Sequence, residues 1–521
     1  MTEIFGRHQL AIPFRPVAEL LSGYAARDPG KTAIVDLDQA SSISFGDLDR
    51  ITVYIAAELK RRGVGKGDRV VLLADEVLEK LLIWFGIWRI GAVVCPLNVE
   101  LNTSHVAALT AMIGPKLILI HKDLDAGAFT LGATAPVTRF GTWQGDDAED
   151  AFFSALIPGD AADLPERNAP TDLSCMFCTS GTTSTPKLVV YDHAAYWLSG
   201  LSTLDMLGLT ENDRTLEYRS FGWNSAQVLS LMPFLQTGLT LHIAKRFSHS
   251  RFFEWIKQYG LTFSAGVPTV VNMLLNKPLG YTAADIPTLR LMTCSTAPLS
   301  PEQWTRFETT YGLTLLQLYG MSEAGWICGN RHYIRRMGTV GPPAKHQEFV
   351  IVDGEGNPCP PEVEGEVTVG GPQTAIGYLL PDGSIDPFRG TRNKTGDLAI
   401  MDVDGFVRVS GRTKDLIIRG GMNISPLEID EVLLAHRDLL EAASVGVPDP
   451  IYGEEVVAFA VPKPGLGVTE KDILSWCETK LPLAKRPKQL FFIAQIPKND
   501  RGKVLRDKLR DEWSARMRET A

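Results

Sequence analysis

DRVVLLADEVLEKLLIWFGIWRIGAVVCPLN, residues 68–98, reads as strand, helix and strand in turn. DRVVLLAD (68–75) is a short apolar run of strand length. EVLEKLLIWFGIWRIGA (76–92) has helix length, and VVCPLN (93–98) is a second strand. Outward from this unit the alternation continues. LILI (117–120), LTLHIA (239–244), TFSAGVP (262–268) and LRLMTCS (289–295) read as strands, with helical stretches such as SRFFEWIKQYG (250–260) between them. Alternation of this kind predicts an α/β fold with parallel sheets and crossover helices. The densest early apolar run, LLIWFGIW (81–88), is far too short to span a membrane.

The pattern changes after about residue 335. FVIVDGEGNP, GEVTVGG and LAIMDVDGFVRVSG are short β segments broken by Gly and Pro, and Asp404-Gly405 marks a hairpin turn. GRTKDLIIRGGMN (411–423) follows, dense in Gly and charge, and mixed α/β patterning then returns to residue 521. This predicts a large N-terminal domain, 1–412, of parallel sheets plus a β-rich subdomain. A small mobile α+β domain, 413–521, is expected after it.

The chain of 521 residues is 45% apolar and 22% charged, an ordinary globular balance. Its net charge of −9 argues against a nucleic-acid binder, which carries a basic excess. The opening MTEIFGRHQLAIPF lacks the charged and apolar regions of a secretory signal, and the seven cysteines are an odd set. Reduced thiols in the cytoplasm are the expectation. Cys175 and Cys178 form a lone CxxC inside a strand-like run; three-residue spacing places them on opposite faces, as buried structural residues.

Several polar segments stand in order along the chain. Thr179-Ser180-Gly181-Thr182-Thr183-Ser184-Thr185-Pro186-Lys187 follows the strand-like run 173–178. Hydroxyls and backbone N–H groups in such a loop can wrap phosphate oxygens. It is not a Walker A loop, because Lys187 is preceded by Pro and followed by Leu. Then come Ser295-Thr296-Ala297-Pro298-Leu299-Ser300, Tyr319-Gly320-Met321-Ser322-Glu323-Ala324-Gly325, Thr395-Gly396-Asp397, Gly411-Arg412-Thr413-Lys414-Asp415, Arg419-Gly420-Gly421-Met422-Asn423-Ile424 and Pro497-Lys498-Asn499-Asp500-Arg501-Gly502-Lys503.

Together with GDRV (67–70) and RIGAVVCPLN (89–98), this ordered set resembles the adenylate-forming (AMP-binding) superfamily, in its acyl- and aryl-CoA ligase branch, over nearly the whole chain. The resemblance implies an enzyme that joins a carboxylic acid to AMP with release of pyrophosphate, then passes the acyl group to coenzyme A. It implies ATP, Mg²⁺ and coenzyme A. The 179–187 loop, including Thr179, Ser180, Gly181, Thr182, Thr183 and Lys187, should hold the β and γ phosphates. Tyr319 should lie against adenine, bordered by Ser295, Thr296 and Ala297, with Gly320 and Met321 completing the segment. Ser322 should bond the α phosphate, Glu323 should help hold Mg²⁺, and Asp397 and Arg412 should contact the ribose. Lys503 is the expected catalytic cation, bridging carboxylate and α phosphate as charge gathers. Lys414 falls at the hinge about which the small domain swings, and Gly420 and Gly421 belong to the loop presented for thioester formation. Three positions depart from the family: Ser184 stands for Gly, Ser322 for the commoner Thr, and Asn393 for an aromatic residue.

The same resemblance places the acid beside 221–227, with Trp223, Asn224 and Gln227 as lining residues, and beside Gly266-Val267-Pro268. The flow of 223–268 is similar to carnitine/crotonobetaine-CoA ligases, whereas YGMSEAG is similar to aryl-CoA ligases. A small-to-medium organic or aromatic carboxylate is expected. No Asp for an amino-acid substrate occurs in 221–227, and the chain stops soon after Lys503 without a carrier domain. Free coenzyme A is therefore the expected acceptor; a stand-alone enzyme loading a separate carrier protein is the alternative, and a non-catalytic nucleotide-binding regulator a more distant one. No nucleic acid or membrane partner is expected. The 497–503 segment resembles sites of bacterial lysine acetylation, which makes an acetyltransferase acting on Lys503 a possible partner. Oligomeric state is not legible.

Overall fold

The computed structural model describes residues 12–145, 151–158, 168–179, 187–499 and 502–520. Two eight-stranded sheets dominate it. In the first, the strands Thr314–Met321, Leu291–Cys294, Phe263–Ser264, Arg214–Glu217, Thr240–Ile243 and Thr32–Asp36 run parallel to their neighbours. In the second, Leu173–Cys178, Val93–Leu97, Arg69–Leu73, Leu117–His121 and Val137–Phe140 do so.

The expected parallel sheets are present, and antiparallel strands close their edges. Ser41–Ser44 and Gly325–Gly329 close the first sheet antiparallel. Leu188–Asp192, Gly377–Leu379 and Ile385–Pro387 extend the second antiparallel. Where the paired strands are consecutive in the chain, link length is the cause: a parallel return needs about a dozen residues or more, roughly a helix, and the short links permit only hairpins. The loop 179–187 is thus a hairpin connection, closed by Thr179 N–H donating to Lys187 O at 2.9 Å. Gly377–Leu379 instead arrives from far along the chain to pair with Leu188–Asp192, and link length does not set its direction.

All of the helix Leu78–Arg89 is buried. It belongs to a core that joins Ile34 and Leu241 of the first sheet to Val70, Leu72 and Phe177 of the second. Lacking a solvent face, it is apolar all round over its middle turns, which accounts for LLIWFGIW. Gly86 is required there, since a Cβ would lie 2.3 Å from Ile55 Cγ2. The helix's two cations are buried only with carboxylates: Lys80 Nζ is 2.7 Å from Glu76 Oε1, and Arg89 pairs with Asp49. Cys175 faces this core and Cys178 the core on the sheet's other side, as their spacing requires.

Glu348–Val352, Gly365–Gly370, Asn393–Met401 and Val407–Arg412 form an antiparallel four-stranded sheet. Its last hairpin turns at Asp404-Gly405, with Gly405 at φ +84° and its N–H on Asp402 O at 3.0 Å. A five-stranded sheet follows, of Met422–Ile424, Ile417–Arg419, Gly453–Pro462, Leu439–Asp449 and Gln489–Phe492, packed by Pro426–Leu434, Glu470–Lys480 and Arg506–Thr520. The molecule is therefore α/β, with a large N-terminal and a smaller C-terminal domain. Among the described residues, no helix is long and apolar enough to cross a membrane.

Candidate active site

The site gathers at the carboxyl ends of the parallel strands in the first sheet, where open α/β sheets place ligands. Phe263–Ser264 and Leu291–Cys294 are neighbours, and Ser295 N–H bonds Gly266 O at 3.3 Å. Gly266 cannot be replaced, because a Cβ would stand 2.2 Å from Thr293 O. Ser295 is fully buried, and its hydroxyl finds no partner among the described residues. Thr296 holds φ +78°, a left-handed conformation that costs a non-glycine residue about 1 kcal/mol or more. Backbone so constrained turns Ser295, Thr296 and Ala297 away from the strand direction at the cleft.

The next strand, Thr314–Met321, delivers Tyr319. Its hydroxyl donates to Asp397 Oδ2 at 2.5 Å, while Arg412 Nε lies 2.5 Å from Asp397 Oδ1. Asp397 and Arg412 are register partners on adjacent strands. Both carboxylate oxygens are therefore oriented by fixed donors, although Tyr319 and Asp397 stand 78 residues apart in the chain. Burial, then the Asp397 charge, push the Tyr319 phenol well up, so it stays a donor. Gly320 lets this strand approach its hairpin partner, because a Cβ would meet Gly325 O at 2.4 Å.

Beyond Met321 the chain turns through Ser322 and Glu323. Tyr191 hydroxyl donates to Ser322 O at 3.0 Å, and Ala375 N–H to Glu323 O at 2.8 Å. Tyr378 hydroxyl donates to Glu323 Oε1 at 2.8 Å, and Lys187 Nζ sits 4.6 Å from the centre of the same ring. Lys187 and Glu323 are thereby brought to one place. Ser180, Gly181, Thr182, Thr183 and Ser184 lie outside the described residues. Thr179 is at the hairpin's entry.

Lys503 also reaches this site. Its loop is held by Lys503 N–H on Asn499 Oδ1 and Asn499 N–H on Lys503 O, both 2.9 Å. Gly502, at φ +75°, lies so close to the large domain that a Cβ would be 2.4 Å from Thr269 Oγ1. Thr269 follows Gly266-Val267-Pro268 directly. Burial, followed by the Arg412 and Lys414 cations, lowers the Lys503 ammonium to about 8; Asp415 and Asp397 pull the other way. Lys414 is exposed in the one-turn helix Thr413–Asp415 between the two domains. Gly420 and Gly421 form the turn of a separate hairpin on the small sheet, at φ +57° and +81°. Asn393, in place of an aromatic residue, bonds Phe388 O at 2.7 Å and Thr391 O at 3.0 Å and so locks its own turn.

The expected acid-side residues are used differently from one another. Trp223 packs with Leu97, Met176, Cys178 and Leu188 in the core. Gln227 is fully buried: its amide nitrogen donates to Phe221 O at 2.6 Å, and its oxygen accepts from Tyr196 hydroxyl. It clamps the 221–227 turn. Asn224 opens a short helix that runs into a π-helical turn, Gln227–Leu231, and lies beside Tyr196 hydroxyl. π turns recur at functional sites. Sequence reading missed the tyrosines 191, 196 and 378, and also Arg219. Arg219 clasps the buried Glu217 through Nε at 2.8 Å and Nη2 at 2.6 Å, and its Nη1 is buried with no partner among the described residues. Nothing in their spacing signals them.

Among the described residues no cluster of three or more His, Cys, Asp or Glu could cage a metal. A single oriented carboxylate, Glu323, suits Mg²⁺, which is commonly shared between one or two carboxylates and substrate phosphates.

Comparison with known proteins identifies the family. The family model for the AMP-binding enzyme matches residues 21–379, and that for the AMP-binding enzyme C-terminal domain matches 428–503. A sulfoacetate–CoA ligase of Cupriavidus necator is 31% identical over 95% of this chain and 97% of its own. An oxalate–CoA ligase of Arabidopsis thaliana is 30% identical over 85% and 88%. The ATP-bound crystal structure of MatB from Rhodopseudomonas palustris superposes with a TM-score of 0.86 at 26% identity, covering 95% of this chain and 99% of that one. The chain belongs to the AMP-binding enzyme family and is an ATP-dependent carboxylic acid–CoA ligase, with ATP, Mg²⁺ and coenzyme A as its reactants and cofactor.

Proposed function

We propose that the enzyme activates a small-to-medium organic or aromatic carboxylate at the cleft built by Ser295–Ala297, Tyr319–Glu323, Asp397, Arg412 and Lys503. A carboxylate oxygen of the acid attacks the α phosphorus of ATP, the bond to pyrophosphate breaks, and an acyl adenylate forms. The thiol of coenzyme A then attacks the acyl carbon, and AMP leaves with the bonding electron pair. Asp397, held by Tyr319 and Arg412, accepts the ribose hydroxyls. Lys187 and the 179–187 loop meet the outer phosphates, and Glu323 holds Mg²⁺, which when bound neutralises phosphate charge. Lys503 offsets the negative charge that gathers between acid and α phosphate.

The observation that carries this reading is the position of Lys503. It comes from the small domain, yet it feels Arg412, Asp415 and Asp397 while Gly502 beside it rests on Thr269. One cation thus stands between the nucleotide groups and the acid-side backbone. We take 413–521 as a unit that swings about Lys414, exchanging Lys503 for the Gly420-Gly421 turn when the thioester forms. Seven thiols, none in a disulfide, support a cytoplasmic setting. Acetylation of Lys503 by a lysine acetyltransferase would remove the charge that the first step requires.

Pyrophosphate release measured across a panel of acids tests the substrate class. Short polar and aromatic acids should be turned over, and a clear preference for long fatty chains would reject the reading.

A further inference from the structure

Tyr378 is not part of any segment singled out from the sequence, yet it touches two groups of the nucleotide site at once. Its hydroxyl donates to Glu323 Oε1 at 2.8 Å, and its ring face carries Lys187 Nζ at 4.6 Å. This placement is set by the sheet. Gly377–Leu379 pairs antiparallel with Leu188–Asp192, with Tyr378 opposite Val189, so the phenol stands beside the strand that follows Lys187. The same segment holds Glu323 by its main chain, through Ala375 N–H on Glu323 O at 2.8 Å. An edge-on contact with Phe388, ring centres 6.2 Å apart, fixes the plane of the ring. Burial, and then the Glu323 charge, push the phenol far up, so it remains a donor wherever the enzyme works.

We propose that Tyr378 is a positioning residue that couples the metal-binding carboxylate to the phosphate-binding lysine. Its hydroxyl fixes one oxygen of Glu323, leaving the carboxylate oriented for Mg²⁺. Its ring holds the Lys187 ammonium close to the same point until phosphate oxygens, stronger partners for a cation than a ring face, draw it away. Metal and outer phosphates therefore meet a prepared pair of opposite charges. The proposal rests on the assignment of Glu323 to Mg²⁺ made above.

The test uses the full chain, with Mn²⁺ as the probe in place of Mg²⁺. Bound Mn²⁺ is read by electron paramagnetic resonance with ATP present, and ATP binding is read by calorimetry in EDTA. Tyr378→Phe keeps the ring and loses the hydroxyl. It should weaken Mn²⁺ retention about 10–100-fold, the usual cost of losing a hydrogen bond that orients a metal-ligating group, and leave metal-free ATP affinity within about twofold. Tyr378→Leu removes the ring as well, and metal-free ATP affinity should also fall severalfold. In a Glu323→Gln background, Tyr378→Phe should cost nothing further, because its effect passes through the carboxylate. Unaltered Mn²⁺ retention in Tyr378→Phe overturns the proposal if Glu323→Gln is itself impaired. Equal loss of metal-free ATP binding in the Phe and Leu variants overturns it too. An unimpaired Glu323→Gln would instead sink the metal assignment beneath it.

Discussion

The two sides of the cleft are built on opposite principles. On the nucleotide side, Asp397 is bracketed by Tyr319 and Arg412, and Glu323 is held by Tyr378 and Ala375; each carboxylate is aimed by fixed donors toward the cleft. On the acid side, charge is turned inward. Glu217 is clasped by Arg219 and also receives Ser230 hydroxyl at 2.8 Å, Ser220 hydroxyl goes to Glu76 at 2.7 Å, and Gln227 binds its own turn and the buried Tyr196. The difference separates chemistry from shape. In the proposed reading the nucleotide groups act by what they present to a ligand, while the acid-side groups fix the course of 217–230.

The largest effect should come from disturbing that inward network. Arg219→Met leaves Glu217, fully buried on its side chain, without its cation. Breaking such a pair costs about 3–5 kcal/mol, whereas replacing both partners by apolar groups is often neutral. Thermal denaturation should show Arg219→Met strongly destabilised and the Glu217→Leu/Arg219→Met double variant largely restored. If Arg219→Met melts like the native protein, the acid side is not organised as described.

On the nucleotide side a single substitution should leave stability alone and remove chemistry. Lys503→Ala should lower the adenylation half-reaction about 10²–10³-fold, the range for loss of one transition-state donor. Thioester formation from preformed acyl adenylate should stay within about threefold. Equal loss of both half-reactions would break the two-pose mechanism. A pH profile sharpens the point. In the ligand-free enzyme the Lys503 ammonium titrates at about 8, below its ordinary value of 10.5. The charged form is complete below that pH, so kcat/KM for ATP should hold up to about pH 8 and fall roughly tenfold per unit above it. Bound phosphates favour the cation and should move the limb in kcat to higher pH.

Legibility in the sequence divides along the same line. The strand–helix–strand at 68–98 was readable because its apolar runs have the length of the elements they form. The proposed nucleotide groups were suggested by motifs, since Tyr319, Glu323, Asp397 and Lys503 each sit in a short segment that carries the family resemblance. Tyr378 was not readable: its role depends on the register of Gly377–Leu379 against Leu188–Asp192, and on a contact 55 residues away in the chain. The inward use of Trp223 and Gln227 was hidden for a related reason. An aromatic or amide residue in a pocket segment points to core or cleft according to the local backbone turn, π-helical from Gln227 onward, and composition does not encode that choice. The hairpin edges followed from loop length, which could have been counted; the pairing of Gly377–Leu379 with Leu188–Asp192 did not.

The smallest effect concerns the seam between the two domains, where a cavity of about 350 Å³ separates the strand Val407–Arg412 from the helix Pro426–Leu434. Glu431 of that helix lines it. Burial raises its carboxyl from 4.5 to about 7; Arg408 opposes the rise, while Glu302, Asp430 and Glu428 add to it. The other charged groups lining the cavity are Glu364 and Lys485, the latter paired with Glu428 at 2.6 Å. The sign follows from where the proton is held. With the small domain swung away, Glu431 regains an ordinary carboxyl, so between pH 4.5 and 7 the proton binds more tightly in the Lys503-seated pose. That pose is favoured most below pH 4.5, loses ground as pH rises to about 7, and changes no further above. Glu431→Gln keeps the shape and removes the titration. Its ratio of adenylation to thioester rates should be flat across this window and severalfold above the native ratio at pH 7.5, read from the two half-reactions in parallel. A native ratio that is itself flat from pH 5 to 7, with both rates measurable, would mean that this carboxyl has no part in choosing the pose.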